Sequence, residues 1–196
     1  MNYGNLKEKR LKKPILIGHS IGGTLSLWLA SVEPDMFSKI IVVDALPASA
    51  ALMIPDYNGN RIAYDNPQSK NMLAMDSASF AAMNAQVIPY MCRNAEKQQT
   101  IMTWMNKADR KTYVHGYIDM LNLDLRETIA NIKIPVLVLA AANPDKATVE
   151  KTYNAQYKKL PSAVIYYAEN SAHFIMYDQP DWFVKKLFNN LNKSDH

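Results

Sequence analysis

Cysteine is almost missing: Cys92 is the single one in 196 residues. That excludes an internal disulfide and any zinc site built on cysteine pairs. Long apolar runs are missing too. A transmembrane helix needs about 18 consecutive apolar residues, and the best run, Pro135 to Ala142, falls far short. The patterns HExxH, GxxxxGK[ST] and GxGxxG do not occur, so neither a metal nor an organic cofactor is expected. Apolar residues make up 48% of the chain and charged residues 20%, which is ordinary globular composition rather than that of a disordered chain.

Charge of one sign is scarce outside one place. The formal net charge is +4. Lys7, Lys9, Arg10, Lys12 and Lys13 stand beside one acid, Glu8, and account for all of it. A single basic stretch before a strand reads as a solvated face, so nucleic-acid binding is not expected. Met1 to Lys13 has no apolar centre of a cleavable signal. A cytoplasmic location is expected, or a periplasmic or secreted one if a signal lies in a segment ahead of Met1.

What is present is an alternation of strands and helices. Pro14–Gly18, Lys39–Asp44, Ile134–Ala140 and Ala163–Tyr167 are short apolar runs that read as buried strands. Ser20 to Glu33 has helical period, with Ile21, Leu25, Trp28, Leu29 and Val32 expected on the inner face. A Tyr- and Lys-rich helix is expected from about Thr148 to Lys159. Asp181 to Leu191 closes the chain, with Phe183, Val184, Leu187, Phe188 and Leu191 turned inward. This order predicts an α/β fold, a parallel sheet with helices on both faces. From Pro47 to Asn131 no strand is evident; Ser69–Arg93, Ala95–Asn106 and Asp109–Leu121 read as helices. The expected division is a core over 1–46, a helical insertion over 47–131, and the rest of the core over 132–196.

Gly18-His19-Ser20-Ile21-Gly22-Gly23 stands where the first strand becomes the first helix. G-x-S-x-G in a strand–turn–helix setting exposes a serine hydroxyl on a strained turn. Gly18 and Gly22 are expected where backbone comes too close for side chains, and Gly23 where the helix packs tightly. The Ile21 N–H, at the helix N-terminus, is aimed at a developing oxyanion.

A nucleophilic serine needs a base, and the chain has four histidines. His19 neighbours the nucleophile and should point away from its side chain. His115 falls inside an insertion helix, and His196 is the last residue. His173 lies in a loop after the last strand, where sites of open α/β sheets form, and is the expected base. The imidazole needs an orienting carboxylate. Asp44 and Asp145 both lie just past strand ends and both satisfy the order Ser–Asp–His; Asp145 is the preferred candidate.

These motifs resemble the α/β-hydrolase fold superfamily. The resemblance runs from about Lys13 to Leu191. It rests on Gly18–Gly23, on the loop after Ile134-Pro-Val-Leu-Val-Leu, and on Ala172-His-Phe174 followed by Asp178-Gln-Pro180. It implies a serine hydrolase with Ser20 as nucleophile, Asp145 as acid and His173 as base, cleaving an ester, thioester or amide through an acyl-enzyme. Carbon–carbon bond hydrolysis, cofactor-free haloperoxidase chemistry and an inactive binding protein are the alternatives.

By the same resemblance the insertion is a cap. His19, Trp104 and Tyr117 are candidates to face a lipophilic small-molecule substrate, with Met72, Met75, Met83, Met102 and Met105 around it. The resemblance also implies strands ahead of the nucleophile strand, roughly 70–90 residues at the usual length of such proteins, and a second oxyanion donor from that segment. Without them, Pro14–Gly18 is expected to be an open edge prone to self-association, with activity near background.

Overall fold

The computed structural model describes residues 12–191. Lys7, Glu8, Lys9, Arg10 and His196 lie outside the described residues.

Strand β1 (Ile15–His19) leads into helix α1 (Ile21–Val32), and β2 (Lys39–Val43) follows. Five helices come next: α2 (Ala50–Met53), α3 (Pro67–Ala74), α4 (Ser77–Met91), α5 (Ala95–Lys107) and α6 (Arg110–Leu121). A 3-10 turn (Thr128–Asn131) precedes β3 (Val136–Ala141), α7 (Lys146–Gln156), β4 (Val164–Ala168), α8 (Ile175–Asp178) and α9 (Pro180–Leu191). The four strands form one parallel sheet in the order β1-β2-β3-β4, with Ile17 opposite Ile41, Val42 opposite Val138 and Leu139 opposite Tyr166.

Alternating residues of the central strands feed two cores, as a sheet covered on both faces requires. Ile40, Val42, Val136, Val138 and Ala140 pack with Leu27 and Ala30 of α1 and Val149 and Tyr153 of α7. Ile41, Val43, Leu137 and Leu139 pack with Ile175 and with Trp182, Phe183, Leu187 and Leu191 of α8 and α9. Full burial of each aliphatic side chain contributes about 1.5–3 kcal/mol. Every residue of β2 is buried, so this strand anchors the sheet. Its one charge, Lys39, donates from Nζ to the Asn190 carbonyl at 2.7 Å.

The elements match the expected alternation, with three differences. The buried residues of α1 are Gly23, Thr24, Ser26, Leu27, Ala30 and Ser31; of the expected stripe Trp28 and Leu29 pack partly buried on the same core, while Ile21 and Val32 are 37% and 50% exposed. Small residues face the sheet because a Cβ on Gly23 would lie 2.6 Å from Ala45 Cβ, so the helix sits too close for bulk. In α9, Val184 and Phe188 face outward. The span expected as one helix over Ser69–Arg93 is two. Asp76 caps α4 by accepting from Ser79 N–H at 2.7 Å, and Arg110 takes the Met75 carbonyl, so both ends at the break have partners.

β1 pairs only with β2 among the described residues, and Ile17 on it is 47% exposed. Gly18 is sterically required: a Cβ there would stand 2.1 Å from the Gly22 carbonyl oxygen. Gly22 differs from expectation, because a Cβ there meets nothing within 4 Å. Gly18→Ala is therefore expected to destabilise the fold by about 3 kcal/mol or more. Gly22→Ala should be neutral or stabilising by up to about 1 kcal/mol, from helix propensity. Urea denaturation midpoints of the two variants check the opposite signs.

Candidate active site

The functional candidates gather at the C-terminal ends of the parallel strands, the edge where sites form in open α/β sheets. Ser20, between β1 and α1, has φ 56°, ψ −128°, a conformation rarely adopted by a non-glycine residue. Its N–H donates to the Val43 carbonyl at 3.0 Å, which ties the turn to the neighbouring strand. The Ser20 carbonyl accepts from Gly23 and Thr24 N–H, so the Ile21 N–H stays ahead of the helical ladder. The Ser20 side chain does not cap the helix it precedes, which leaves the hydroxyl available.

His173 Nδ1 and Asp44 Oδ2 are 2.7 Å apart. The pair is mostly shielded, with the side chains 23% and 16% exposed. Asp44 sits at φ 44° immediately after β2. Its other oxygen, Oδ1, accepts from Ala141 N–H at 2.8 Å and from the Tyr153 hydroxyl at 3.1 Å. Burial and the charge of Asp44 push the Tyr153 hydroxyl pKa well up, so it remains a donor. The carboxylate thus meets three donors from β3, α7 and the histidine loop. Such an arrangement fixes the imidazole tautomer, with the proton on Nδ1 and a lone pair on Nε2. Among the described residues the Ser20 hydroxyl makes no hydrogen bond to His173; contacts of this kind often tighten only when substrate is bound.

Asp145 lies elsewhere. It is exposed and is the N-cap of α7, where Oδ1 accepts from Thr148 N–H at 2.9 Å. That hydrogen bond holds its pKa below the usual carboxylate value. The carboxylate facing His173 is therefore Asp44, and Asp145 serves the helix terminus.

A sequence profile for the alpha/beta hydrolase family matches residues 4–186. The chain belongs to this family. It is 23% identical over 189 residues to the sn-1-specific diacylglycerol lipase ABHD11 of Danio rerio, covering 93% of this chain and 58% of the relative. Among solved structures, a hydrolase from Pseudomonas aeruginosa PA01 matches at TM-score 0.75 and 16% identity, over 96% of this chain and 68% of that one. The esterase EaEST from Exiguobacterium antarcticum matches at TM-score 0.74 and 16% identity, over 96% and 70%. The chain spans 58–64% of the length of the first curated relatives it matches.

The remaining candidates in this alpha/beta hydrolase chain separate. His19 is half-buried beside His173, with ring centroids 4.5 Å apart. Its Nε2–H donates to the His173 carbonyl at 2.9 Å. His115 lies against Tyr64, out on the helical insertion, with ring centroids 4.6 Å apart and planes tilted by 32°.

Tyr117 and Met72 line a cavity of about 430 Å³ between α2, α3 and α6, with Met53, Ile62, Val114 and Ile118. Trp104 and the other methionines do not line it. Trp104 is 52% exposed beside Tyr177. Met102 and Met105 pack on Ile88, Cys92 and Ile101 under Phe174 and Tyr177. No helix of the described residues is long and apolar enough to cross a membrane.

Asp178 was not a candidate. Its Oδ1 accepts from Arg93 N–H at 2.8 Å, Asn94 N–H at 3.0 Å and Cys92 Sγ at 3.3 Å, and its Oδ2 from Ala172 N–H at 2.8 Å. Burial raises the Cys92 thiol to about 11, so it stays a protonated donor. The only sequence signal for this role was the Asp-Gln-Pro following the histidine.

Desolvation, followed by the neighbouring His173, lowers the His19 pKa from 6.5 to about 4. Between these values the unfolded chain binds a proton at His19 that the native state does not. Stability should therefore fall as pH drops from about 6.5 to about 4, by at most about 3 kcal/mol from this residue. His19→Gln, which keeps an N–H donor without the titration, should flatten that part of the slope. Urea unfolding of both forms across this range checks it.

Proposed function

We propose that the chain is a serine hydrolase that cleaves a lipophilic ester by way of an acyl-enzyme, with Ser20 as nucleophile, His173 as base and Asp44 as the orienting acid. The observation that carries this reading is the shielded 2.7 Å pair of His173 and Asp44 beside a serine in a strained turn. Helices 50–121 act as the cap; their apolar cavity is not lined by Ser20, Asp44 or His173, so the lipophilic substrate is inferred from the lipase-named relatives. Relatives named as esterase and lipase support the same class.

In this mechanism Ser20 Oγ attacks the ester carbonyl carbon while His173 Nε2 takes the hydroxyl proton. The carbonyl π pair moves to oxygen, and the Ile21 N–H donates to that oxyanion. Asp44 stays ionised and stabilises the imidazolium. The oxyanion collapses, the bond to the alkoxy oxygen breaks, and His173 delivers its proton to the departing alcohol. Water then attacks the acyl-enzyme with His173 again accepting a proton. Collapse frees the acid and restores Ser20.

A fluorophosphonate probe should label Ser20, and Ser20→Ala should abolish labelling. Asp44→Asn should slow labelling by roughly 10⁴-fold, because the asparagine favours the wrong imidazole tautomer. Asp145→Asn should change the rate little and cost about 1 kcal/mol of stability through loss of the cap. Combining Asp44→Asn with His173→Ala should add little to either alone. The opposite ranking of the two aspartates, or labelling at another residue, would overturn the assignment.

The edge of β1 that has no partner strand among the described residues, with Ile15 and Ile17 exposed, leads to a second expectation: the 196-residue chain self-associates through it. Size-exclusion chromatography should show oligomers that Ile17→Lys reduces to monomer. A wild-type monomer would contradict this.

A further inference from the structure

The loop carrying His173 is anchored on every side, and one of its anchors has no place in the mechanism above. The His173 ring bonds to Asp44, and its carbonyl accepts from His19. The next residue, Phe174, donates its N–H to the Met91 carbonyl at 2.9 Å. The preceding residue, Ala172, donates to Asp178. Met91 is the last residue of α4, and Asp178 also receives the N–H groups of Arg93 and Asn94 at the junction before α5. Two crossing links, one from each side of His173, therefore end on the same four-residue stretch of the helical insertion. Asn94 Nδ2 adds a third by donating to the Tyr177 carbonyl at 3.5 Å. Phe174 and Tyr177 also pack on the Ile88, Cys92 and Ile101 cluster beneath the junction.

We propose that Asp178 is a positioning residue that locks the histidine loop to the α4–α5 junction, so that His173 and the helical insertion move as one body. A carboxylate suits this place because it only accepts. Each oxygen faces donors, one toward the histidine loop and the other toward the junction. An asparagine has a single acceptor oxygen, and its NH2 would confront an N–H on one side. The consequence for the reaction is that a substrate pressing on the insertion is felt at His173. This rests on the role proposed for His173, but the physical coupling is measurable without any activity.

The first measurement is amide hydrogen exchange by NMR on the 196-residue chain. The Phe174 N–H is not bonded to Asp178, so it reports on the lock rather than on the deleted contact. Asp178→Ala should speed its exchange tenfold or more, while the Ala142 N–H, bonded to the Ala168 carbonyl within the sheet, stays unchanged. Unchanged protection of Phe174 would overturn the proposal. Asp178→Asn serves if the alanine variant does not fold, with the same expectation in direction.

The second measurement is ester turnover per fluorophosphonate-titrated site. A misplaced histidine should lower kcat by roughly 10²-fold with KM moving much less. The adjacent exposed carboxylate control, Asp181→Asn, should leave both unchanged. A lower melting temperature with kcat per site intact would reduce Asp178 to a structural residue and overturn the proposal. If the wild type neither labels nor turns over ester, the serine-hydrolase reading fails by itself, and the exchange result decides the lock.

Discussion

A carboxylate can hold an imidazole in one tautomer only if it is itself held, and in this chain that requirement falls on Asp44. Its backbone takes a left-handed conformation at the end of a fully buried strand, where the Asp44 N–H donates to the Leu139 carbonyl at 2.7 Å. One carboxylate oxygen is left for His173 because the Ala141 N–H and the Tyr153 hydroxyl occupy the other. The sheet register, the placing of α7 and the path of the histidine loop all converge on this side chain. Removing any of its donors would leave a poorly solvated negative charge undercompensated.

Helix α7 gives the support its depth. Tyr153 reaches Asp44, the Tyr157 hydroxyl donates to the Ala45 carbonyl at 2.9 Å, and Gln156 both accepts from Ala48 N–H and donates to the Ala48 carbonyl. The segment just after β2 is therefore bonded along its length to one face of a single helix. The two tyrosine rings stack within 3° of parallel, which stiffens that face. This segment also leads into the helical insertion, so the same contacts set where the insertion begins.

Most of the architecture was legible in the residues, because apolar runs of four or five and a change to helical period are local signals. The strained serine turn and the histidine loop were legible for the same reason. The acid was not. Asp44 and Asp145 look alike from their neighbours, and what separates them is remote: Tyr153 lies 109 residues from Asp44 and His173 lies 129. Asp145 did carry a local clue, standing three residues before Thr148 at a helix start, the pattern of an N-cap. The face of α1 was legible only in part, Trp28 and Leu29 packing on the core as expected, because apolar size was weighed above closeness. Gly23, Thr24 and Ala30 face the sheet since the turn at Gly18 brings the helix against it. Asp178 was missed because its three backbone donors carry no side-chain signature.

The separation between Asp44 and its partners also has a temporal side. A ribosome adds about 5–20 residues per second, so roughly 6–26 s pass between the emergence of Asp44 and that of His173. For the first 109 residues of that interval β2 is available but its carboxylate has neither imidazole nor tyrosine, and after that it has the tyrosine alone. Helices α3 to α6 can make their mutual contacts meanwhile, whereas the bonds from the α4–α5 junction to Phe174 and Asp178 must wait for the histidine loop. The nascent chain thus carries a serine turn and helices of the insertion before the histidine loop exists. The Asp44–His173 pair is completed only once β4 and the loop behind it have been made.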